Sequence, residues 1–414
     1  MVIGSEQWGW AEQQARVTGK TRFAQIQESF GTAQIKLLQG ENVIQMTKQR
    51  RIIVNDDGNI GPPSEEWRRG QEEDFLAVRF NPCVDTQVDS YFICVAATSA
   101  SPVEEGQVNL IPWQSMGQFF YWGEPGKLHP ATDEATRLLI ERAHNAGMEI
   151  FASVRMNDIH DAFPEVYPKL TYPLKVQRPD LLIGEAAEKP YPNDAIMRAF
   201  WSGFDYAHEE VRQHFLDFIL GYCPQYDYDG VELDYFRHPL FFKLGHEAEN
   251  MDKMTEFVRQ VRQGLNEIGR ERGKPYLLAV RVPDTPVLAL KTGLNVEQWL
   301  QDGLLDMLII GGGYMPYAGR YQEFIDMAHR YGVPAYPATN VFSDVRETHS
   351  DPAKIVRSYA SNFWALGGDG VYIFNYFGVE NEAEEAGCLN QLGDPDTLLG
   401  LDKQYSPDNG CSII

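Results

Sequence analysis

Short apolar segments recur along the chain from residue 50 onward, and turn residues followed by a segment of helical spacing separate each one from the next. Most of these segments are nearly continuous apolar runs, which is typical of parallel strands buried on both faces. The spacing of Val211, Phe215, Phe218 and Ile219 gives one intervening helix an apolar stripe. Several helices end in glycine directly before the next strand, as in ERAHNAGMEIFASV and AHRYGVPAYPA. The eight predicted strands are RRIIVND, VDSYFICVAA, MEIFASVRMND, YDGVELDYF, PYLLAVRVPD, LDMLIIGGG, VPAYPATN and GDGVYIFNYF.

The alternation of eight strands with helices predicts an α/β protein, a (β/α)8 TIM barrel. We assign residues 50–400 to a catalytic barrel, residues 1–49 to a polar N-terminal arm and residues 401–414 to a C-terminal tail. The alternative is an open doubly wound sheet. However, no GxGxxG or GxxxxGKS/T motif follows the first strand, so the phosphate-binding loop that such sheets usually carry is missing.

Composition and charge narrow the possible partners of this barrel. The 36 Lys and Arg residues are outnumbered by 59 Asp and Glu residues, which gives a net charge of -23. Because phosphate neutralisation needs clustered basic residues, nucleic acid is not expected as a partner. No apolar stretch is long enough to span a bilayer and no export signal begins the chain, so we expect a soluble protein, cytoplasmic as written and secreted or periplasmic if a signal was removed. The five cysteines form no CxxC pair and have no histidine at ligand spacing, so neither a disulfide framework nor a zinc site is indicated. The primary hypothesis given below includes no cofactor and no metal.

Polar residues cluster where the predicted strands end. In a (β/α)8 barrel the C-terminal ends of the strands and the connections after them form the rim at which active sites lie. Asp158 after the third strand and Asp284 after the fifth are candidate catalytic residues of this rim. Other rim residues are expected to bind the substrate, because sugar rings stack on aromatic faces and sugar hydroxyls bond to polar side chains. The predicted substrate-binding residues are Asp56, Trp113, Trp122, Arg155, Asn157, His160, Tyr235, Arg237, His238, Arg281, Tyr314, Asn340 and Asn375.

The segment YDGVELDYFRHP places Glu232 and Asp234 near the end of the fourth strand. Side chains alternate across a strand, so both carboxylates are expected to face the barrel interior, with attachment points roughly 6 to 7 Å apart. Two like charges in a confined cavity separate each other's pKa values, which leaves one carboxyl group a proton donor and the other ionised. Cleavage of a glycosidic bond needs this division of roles. The alternative is a structural salt bridge from one of the two to Arg155 or Arg281.

Four segments carry a resemblance to known enzymes: RRIIVNDDG on the first strand, FASVRMNDIHD on the third, DGVELDYFRHP on the fourth and GGDGVYIFNYF on the eighth. Together they make residues 50–400 resemble the bacterial glycoside-hydrolase-like barrel families. The resemblance implies a sugar-processing (β/α)8 enzyme that uses Asp or Glu. It also implies that Asp234 is the best match to the nucleophile or base of these families.

Two related patterns are only partly present. DGVELDYF is similar to the chitinase pattern DGxDxDxE, but Phe236 stands where that family has its acid. In the large clan of retaining β-glycosidases, glutamates end the fourth and seventh strands, whereas YPATNVF supplies no carboxylate at the seventh. The second acid is therefore expected to be Asp284, Asp158 or Glu232.

These observations lead to one primary hypothesis and two alternatives. The primary hypothesis is a glycoside hydrolase that cleaves an oligo- or polysaccharide with paired carboxylates at the ends of the strands. The missing acid of the seventh strand favours a carbohydrate-binding barrel that lacks catalysis. A metal-dependent isomerase or aldolase is the other alternative, since plausible metal ligands lie at the rim, namely Asp56, Asp158, Glu232, Asp234 and His238.

Overall fold

Eight parallel strands close into a barrel in the order of the chain, and the eighth strand pairs with the first. The structure, a computed structural model, describes residues 48–56, 76–96, 130–162, 172–185, 196–313, 319–340, 352–376 and 387–405. The strands are β1 Ile52–Asp56, β2 Val88–Ala96, β3 Glu149–Arg155, β4 Gly230–Asp234, β5 Leu277–Val282, β6 Met307–Ile310, β7 Ala335–Thr339 and β8 Val371–Ile373. This topology confirms the predicted (β/α)8 barrel.

Helices alternate with the strands along the chain. Within the described residues they are α1 Pro130–Asn145, α2 Pro173–Gln177, α3 Glu209–Gly221, α4 Glu247–Arg272, α5 Pro286–Lys291, α6 Val296–Gln301, α7 Gln322–Arg330, α8 Pro352–Ala365 and α9 Pro395–Leu399. Among these, none is long and apolar enough to cross a membrane. From Arg50 onward the described residues belong to one unit, Arg50–Ile414. Only residues 48–49 of the predicted arm and residues 401–405 of the predicted tail are described, so the limits of these two segments stay predictions.

The barrel interior is aromatic at its centre. Phe92 and Phe151 stack with ring centroids 4.3 Å apart, and Tyr372 meets Phe92 edge-on at 5.8 Å. Nearer the N-terminal ends of the strands, Arg50 Nε lies 2.6 Å from Glu149 Oε2 in an ion pair that closes that end. The polar side chains in the C-terminal half of the barrel interior therefore lie next to a layer of aromatic side chains.

Three consecutive glycines, Gly311–Gly313, follow β6 with φ angles of 70°, 66° and 142°. A Cβ atom on Gly312 would lie 2.7 Å from the carbonyl carbon of Ala338 in β7. The left-handed conformation costs a residue with a side chain about 1–2 kcal/mol even in open space. Glycine at this position therefore lets the end of β6 approach β7 closely.

Gly312→Ala is accordingly expected to lower the free energy of unfolding by more than about 2 kcal/mol, because the strain of the left-handed backbone adds to a steric clash. Gly332→Ala is the matched control, since Gly332 has a φ of 74° but no atom within 4 Å of the Cβ position. Urea denaturation of both variants gives the comparison. Equal losses would show that the close approach to β7 contributes nothing.

Candidate active site

The fourth strand places two carboxylates at successive levels of the barrel interior. Glu232 has no exposed surface and Asp234 is 1% exposed. Asp234 lies in register with Arg155 of β3 and with Arg281 of β5, whereas Glu232 lies in register with Ser153 of β3. Both carboxylates thus share the inward face that alternation predicts, and Asp234 is the one nearer the rim.

Asp234 forms a buried bidentate ion pair with Arg281. The Nε and Nη2 atoms of Arg281 donate to the two carboxylate oxygens of Asp234, each at 2.9 Å. Its Nη1 atom donates to the carbonyl oxygens of Gly311 and Gly312, and its guanidinium carbon lies 3.8 Å from the ring centre of Phe374. The pair compensates the buried charge and occupies both oxygens of Asp234. A structural salt bridge to Arg155 or Arg281 was the alternative hypothesis from the sequence, and Arg281 forms it. A catalytic role for Asp234 stays a prediction.

The carboxyl group of Glu232 is held by side chains from across the barrel. The hydroxyl group of Tyr372 in β8 donates to Oε1 at 2.7 Å, and Nδ2 of Asn55 in β1 donates to Oε2 at 3.4 Å. Burial, followed by the negative charge of Asp234, raises the pKa of Glu232 to about 7 against an opposing effect of Arg281. A carboxyl group with this pKa keeps its proton in mildly acidic solution, which suits a proton donor.

A second charged cluster lies in the connections after β3 and β4. The Nδ1 atom of His160 lies 2.6 Å from Asp158 Oδ1, and its Nε2 atom lies 2.8 Å from Arg237 Nη2. A guanidinium group only donates, so Nε2 of His160 accepts and Nδ1 carries the ring hydrogen. Although burial alone would raise it, the pKa of Asp158 is held well below its ordinary value, chiefly by His160. The cluster therefore holds an ionised Asp158 joined through a neutral imidazole to Arg237.

His238 extends this cluster. Its ring stands edge-on to that of His160 with centroids 5.3 Å apart, and its Nε2 atom lies 3.5 Å from Arg237 Nη1. By the same argument Nε2 accepts and Nδ1 carries the hydrogen. Burial lowers the pKa of His238 well below its ordinary value, so this ring is also neutral.

Asp284, Asn340 and Asn375 are buried at the ends of β5, β7 and β8. The Oδ2 atom of Asp284 accepts from the backbone N–H of Arg320 at 3.2 Å, and a Cβ atom on Gly311 would lie 3.1 Å from its Cβ atom. Asp284 is therefore next to the glycine turn that receives Arg281. Its predicted catalytic role, and substrate binding by the two asparagines, stay predictions. Within the described residues, no three His, Cys, Asp or Glu side chains are grouped as metal ligands.

Two predicted substrate-binding residues face away from the interior. Asp56 accepts from Arg79 Nε at 2.8 Å, from Arg79 Nη2 at 2.6 Å and from the hydroxyl group of Tyr91 at 2.6 Å, on the outer face of β1. Tyr235 packs outside the barrel with its ring centroid 5.5 Å from that of Trp299. Both side chains belong to the core between strands and outer segments, and substrate contacts of Asp56 and Tyr235 stay a prediction.

The side chain of Asn157 bonds to the backbone of other segments, and its role in substrate binding stays a prediction. Its Nδ2 atom donates to the carbonyl oxygens of Phe204 and Leu240 at 3.0 and 2.7 Å, and its Oδ1 atom accepts from the backbone N–H of Phe204 at 2.9 Å. The amide group is thus used to join three segments of the chain. The remaining predicted substrate-binding residues lie outside the described ranges, namely Trp113, Trp122 and Tyr314.

The side chains that hold Glu232 are not among the predicted site residues. Tyr372 and Asn55 lie within predicted strands, whereas the predicted site residues were chosen for their position at or after strand ends. The signal that could have found them is alternation, since Tyr372 of β8 and Phe374 just after it point to the same side, as Ile53 and Asn55 share one face of β1.

No family model matches the chain, and no curated protein matches it. Among solved structures, the chain is similar to the glycoside hydrolase domain of PgaB (BpsB) from Bordetella bronchiseptica, with 11% identity, a TM-score of 0.50 and coverage of 83% of this chain and 99% of that one. At 11% identity this likeness shows a shared (β/α)8 barrel fold.

Two other barrels are similar at lower TM-scores. A chitinase from Bacillus thuringiensis has 13% identity, a TM-score of 0.46 and coverage of 87% of this chain and 71% of that one. A glycoside hydrolase family 18 N-acetylglucosaminidase from Paenibacillus barengoltzii has 12% identity, a TM-score of 0.45 and coverage of 83% of this chain and 99% of that one. At such identities the likeness extends to the fold alone, and function has to be argued from the site.

Proposed function

We propose that this protein is a glycoside hydrolase that acts on a carbohydrate substrate through the paired carboxyl groups of β4. The observation that carries the proposal is the contrast between Glu232, whose pKa is raised to about 7, and Asp234, whose charge is balanced by Arg281. Glycoside cleavage needs a carboxylic acid that protonates the leaving oxygen and a carboxylate near a positively charged transition state. One strand supplies both groups here, and the likeness to a glycoside hydrolase barrel agrees with this assignment.

Each carboxyl group has a separate role in this proposal. Glu232 donates its proton to the glycosidic oxygen. Asp234 stabilises positive charge on the sugar by its own charge rather than as a nucleophile, once the bound substrate has separated it from Arg281, which engages both of its oxygens in the free protein. The base or nucleophile then comes from another carboxylate of the rim, for which Asp158 and Asp284 are the candidates. A sugar entering from the rim meets Asp234 and Arg281 before Glu232, so these two side chains have to shift when the substrate binds.

The proposal predicts that kcat/KM for the glycan falls as the pH rises through about 7. Only the protonated form of Glu232 donates, and its raised pKa places the loss of that form near neutrality. A panel of oligosaccharides with product analysis identifies a substrate, and initial rates from about pH 5 to about pH 9 then give the profile. A rate that keeps rising to the alkaline end of this range would exclude Glu232 as the acid.

A carbohydrate-binding barrel without catalysis is the second candidate. Two observations favour it: Arg281 occupies both oxygens of Asp234, and the position of the chitinase acid is taken by Phe236, which is buried. This candidate predicts measurable affinity for a glycan and no hydrolysis products from it. Affinity and product analysis with the same oligosaccharides therefore separate the two functions.

A further inference from the structure

The connection after β4 contains a buried hydrogen-bond donor whose acceptor is missing among the described residues. The Nδ1 atom of His238 has no hydrogen-bond partner there, and the residue is 2% exposed. Because Nε2 faces the guanidinium group of Arg237, Nδ1 carries the ring hydrogen. Buried donors in folded proteins nearly always have an acceptor. This one is therefore expected to receive its acceptor from a bound molecule.

The charges around this donor favour an acceptor that is negatively charged. Arg237 and Arg155 act on the His238 ring as positive charges, and Asp158 acts on it as a negative charge. After burial, the charge of Arg237 is the largest influence on the pKa of His238, and it lowers that pKa. An anion at Nδ1 would thus lie in a positive local field, where charge-assisted hydrogen bonds are strong. This local field is opposite in sign to the net charge of -23 of the chain.

The donor also lies beside the candidate catalytic groups. Arg155 is in register with Asp234, and its Nη1 atom lies 3.4 Å from Asp158 Oδ2. The rings of His160 and His238 close the same cluster from the β3 and β4 connections. The donor therefore lies in the cluster that joins the connections after β3 and β4 and that contains the candidate Asp158.

We propose that the Nδ1–H group of His238, with the charge of Arg237 beside it, binds an acidic group of the substrate, either the carboxylate of a uronic acid or a sulfate ester. The inference rests on the proposed function and adds the substrate class to it, an acidic oligo- or polysaccharide. His238 forms the hydrogen bond and Arg237 supplies the charge. His160 and Asp158 hold Arg237 in place.

The test compares matched ligands on matched variants of the full chain. His238→Leu removes the donor, whereas His238→Asn keeps an N–H group near the position of Nδ1. Calorimetry measures the binding of glucuronic acid, a glucose sulfate ester and glucose. The wild type is expected to bind at least one of the acidic sugars about tenfold or more tightly than glucose. His238→Leu is expected to weaken binding of the acidic sugar by about tenfold more than binding of glucose, and His238→Asn to retain most of the preference.

Salt gives a second readout that needs no variant, in case His238→Leu does not fold. Raising the salt from about 50 to about 500 mM is expected to weaken binding of the acidic sugar and to leave glucose binding unchanged. The preferred acidic sugar tells a carboxylate subsite from a sulfate subsite.

Failure of the subsite and failure of the hydrolase proposal have different signatures. Equal affinity for acidic and neutral sugars, or equal losses for both in His238→Leu, overturns the subsite, while cleavage of neutral oligosaccharides would leave the hydrolase proposal standing. Binding of an acidic sugar that depends on His238, without cleavage of any oligosaccharide, supports the subsite and overturns the hydrolase proposal.

Discussion

Glu232→Gln is expected to abolish hydrolysis of the glycan and, in alkaline solution, to stabilise the folded protein. Loss of a general acid typically slows a reaction by about 10²–10⁴-fold. The pKa of Glu232 is raised from 4.5 to about 7, so the contribution of this group to stability is complete below about pH 4.5 and is lost as the pH rises through about 7. That loss corresponds to about 3 kcal/mol. Glutamine cannot ionise, so the variant avoids it and should be the more stable protein above neutral pH.

Urea denaturation at about pH 5 and about pH 8.5, together with hydrolysis rates, checks both parts of this expectation. Glu256→Gln is the matched control, since Glu256 lies exposed on α4, where it pairs with Arg259. Glu256→Gln should hydrolyse the glycan at the wild-type rate. Its stability relative to the wild type should not increase between the two pH values, as that of Glu232→Gln is expected to do. Retained hydrolysis in Glu232→Gln, or a stability difference that is the same at both pH values, would contradict the assignment.

Arg281→Met is expected to destabilise the protein by about 3–5 kcal/mol, because it leaves the charge of Asp234 buried without its bidentate partner. The carbonyl oxygens of Gly311 and Gly312 lose the same donor, which adds to the loss. Combining this change with Asp234→Asn removes the buried charge and should restore part of the stability. A double-mutant cycle of four proteins, measured by urea denaturation, isolates the interaction between the two side chains.

Arg320→Met controls for the removal of an arginine as such. Arg320 is exposed and pairs with Glu323 at the surface, so its loss should have a much smaller effect. The assignment fails if Arg281→Met costs no more than this control. It fails equally if the effects of Asp234→Asn and Arg281→Met simply add.

The barrel itself could be predicted from the sequence because parallel strands are buried on both faces and therefore appear as near-continuous apolar runs. The eight strands of the structure lie within the eight predicted segments. The ends of helices at glycine could also be predicted. Gly273 directly after α4 has a φ of 68° and Gly332 soon after α7 has a φ of 74°, so both adopt the left-handed conformation that ends a helix. The strands and the helix ends depend on residues close together in the sequence, so they can be predicted without knowing which distant residues they contact.

The same continuity of apolar residues hides which side of a strand faces inward. In IIVND both faces are apolar until the last two residues, so the pattern does not show that Asp56 points outward while Asn55 points inward. On β4 the two carboxylates mark the inner face, and alternation would have placed Tyr235 outside. Asn157 lies beyond the end of β3, where alternation no longer applies and the route of the loop sets the direction of the side chain.

The sequence reduced the possible ion-pair partners of Asp234 to two arginines but did not show which of them forms the pair. Register places an arginine on each neighbouring strand, Arg155 and Arg281. The choice of Arg281 depends on groups far away in the chain, namely the carbonyl oxygens of the Gly311–Gly313 turn and the ring of Phe374. Contacts between residues far apart in the chain cannot be predicted from the spacing of nearby residues. The raised pKa of Glu232 also depends on such contacts.

The aromatic centre of the barrel sets the medium in which Glu232 titrates. Phe92, Phe151 and Tyr372 come from three different strands, and their rings lie below the rim. Because the proton affinity of a buried acid follows the polarity around it, exchanging Phe92 or Phe151 for other apolar residues would move the pKa of Glu232 without removing a hydrogen bond to its carboxyl group. The protonation of this carboxyl group is therefore adjustable from hydrocarbon packing one layer beneath it.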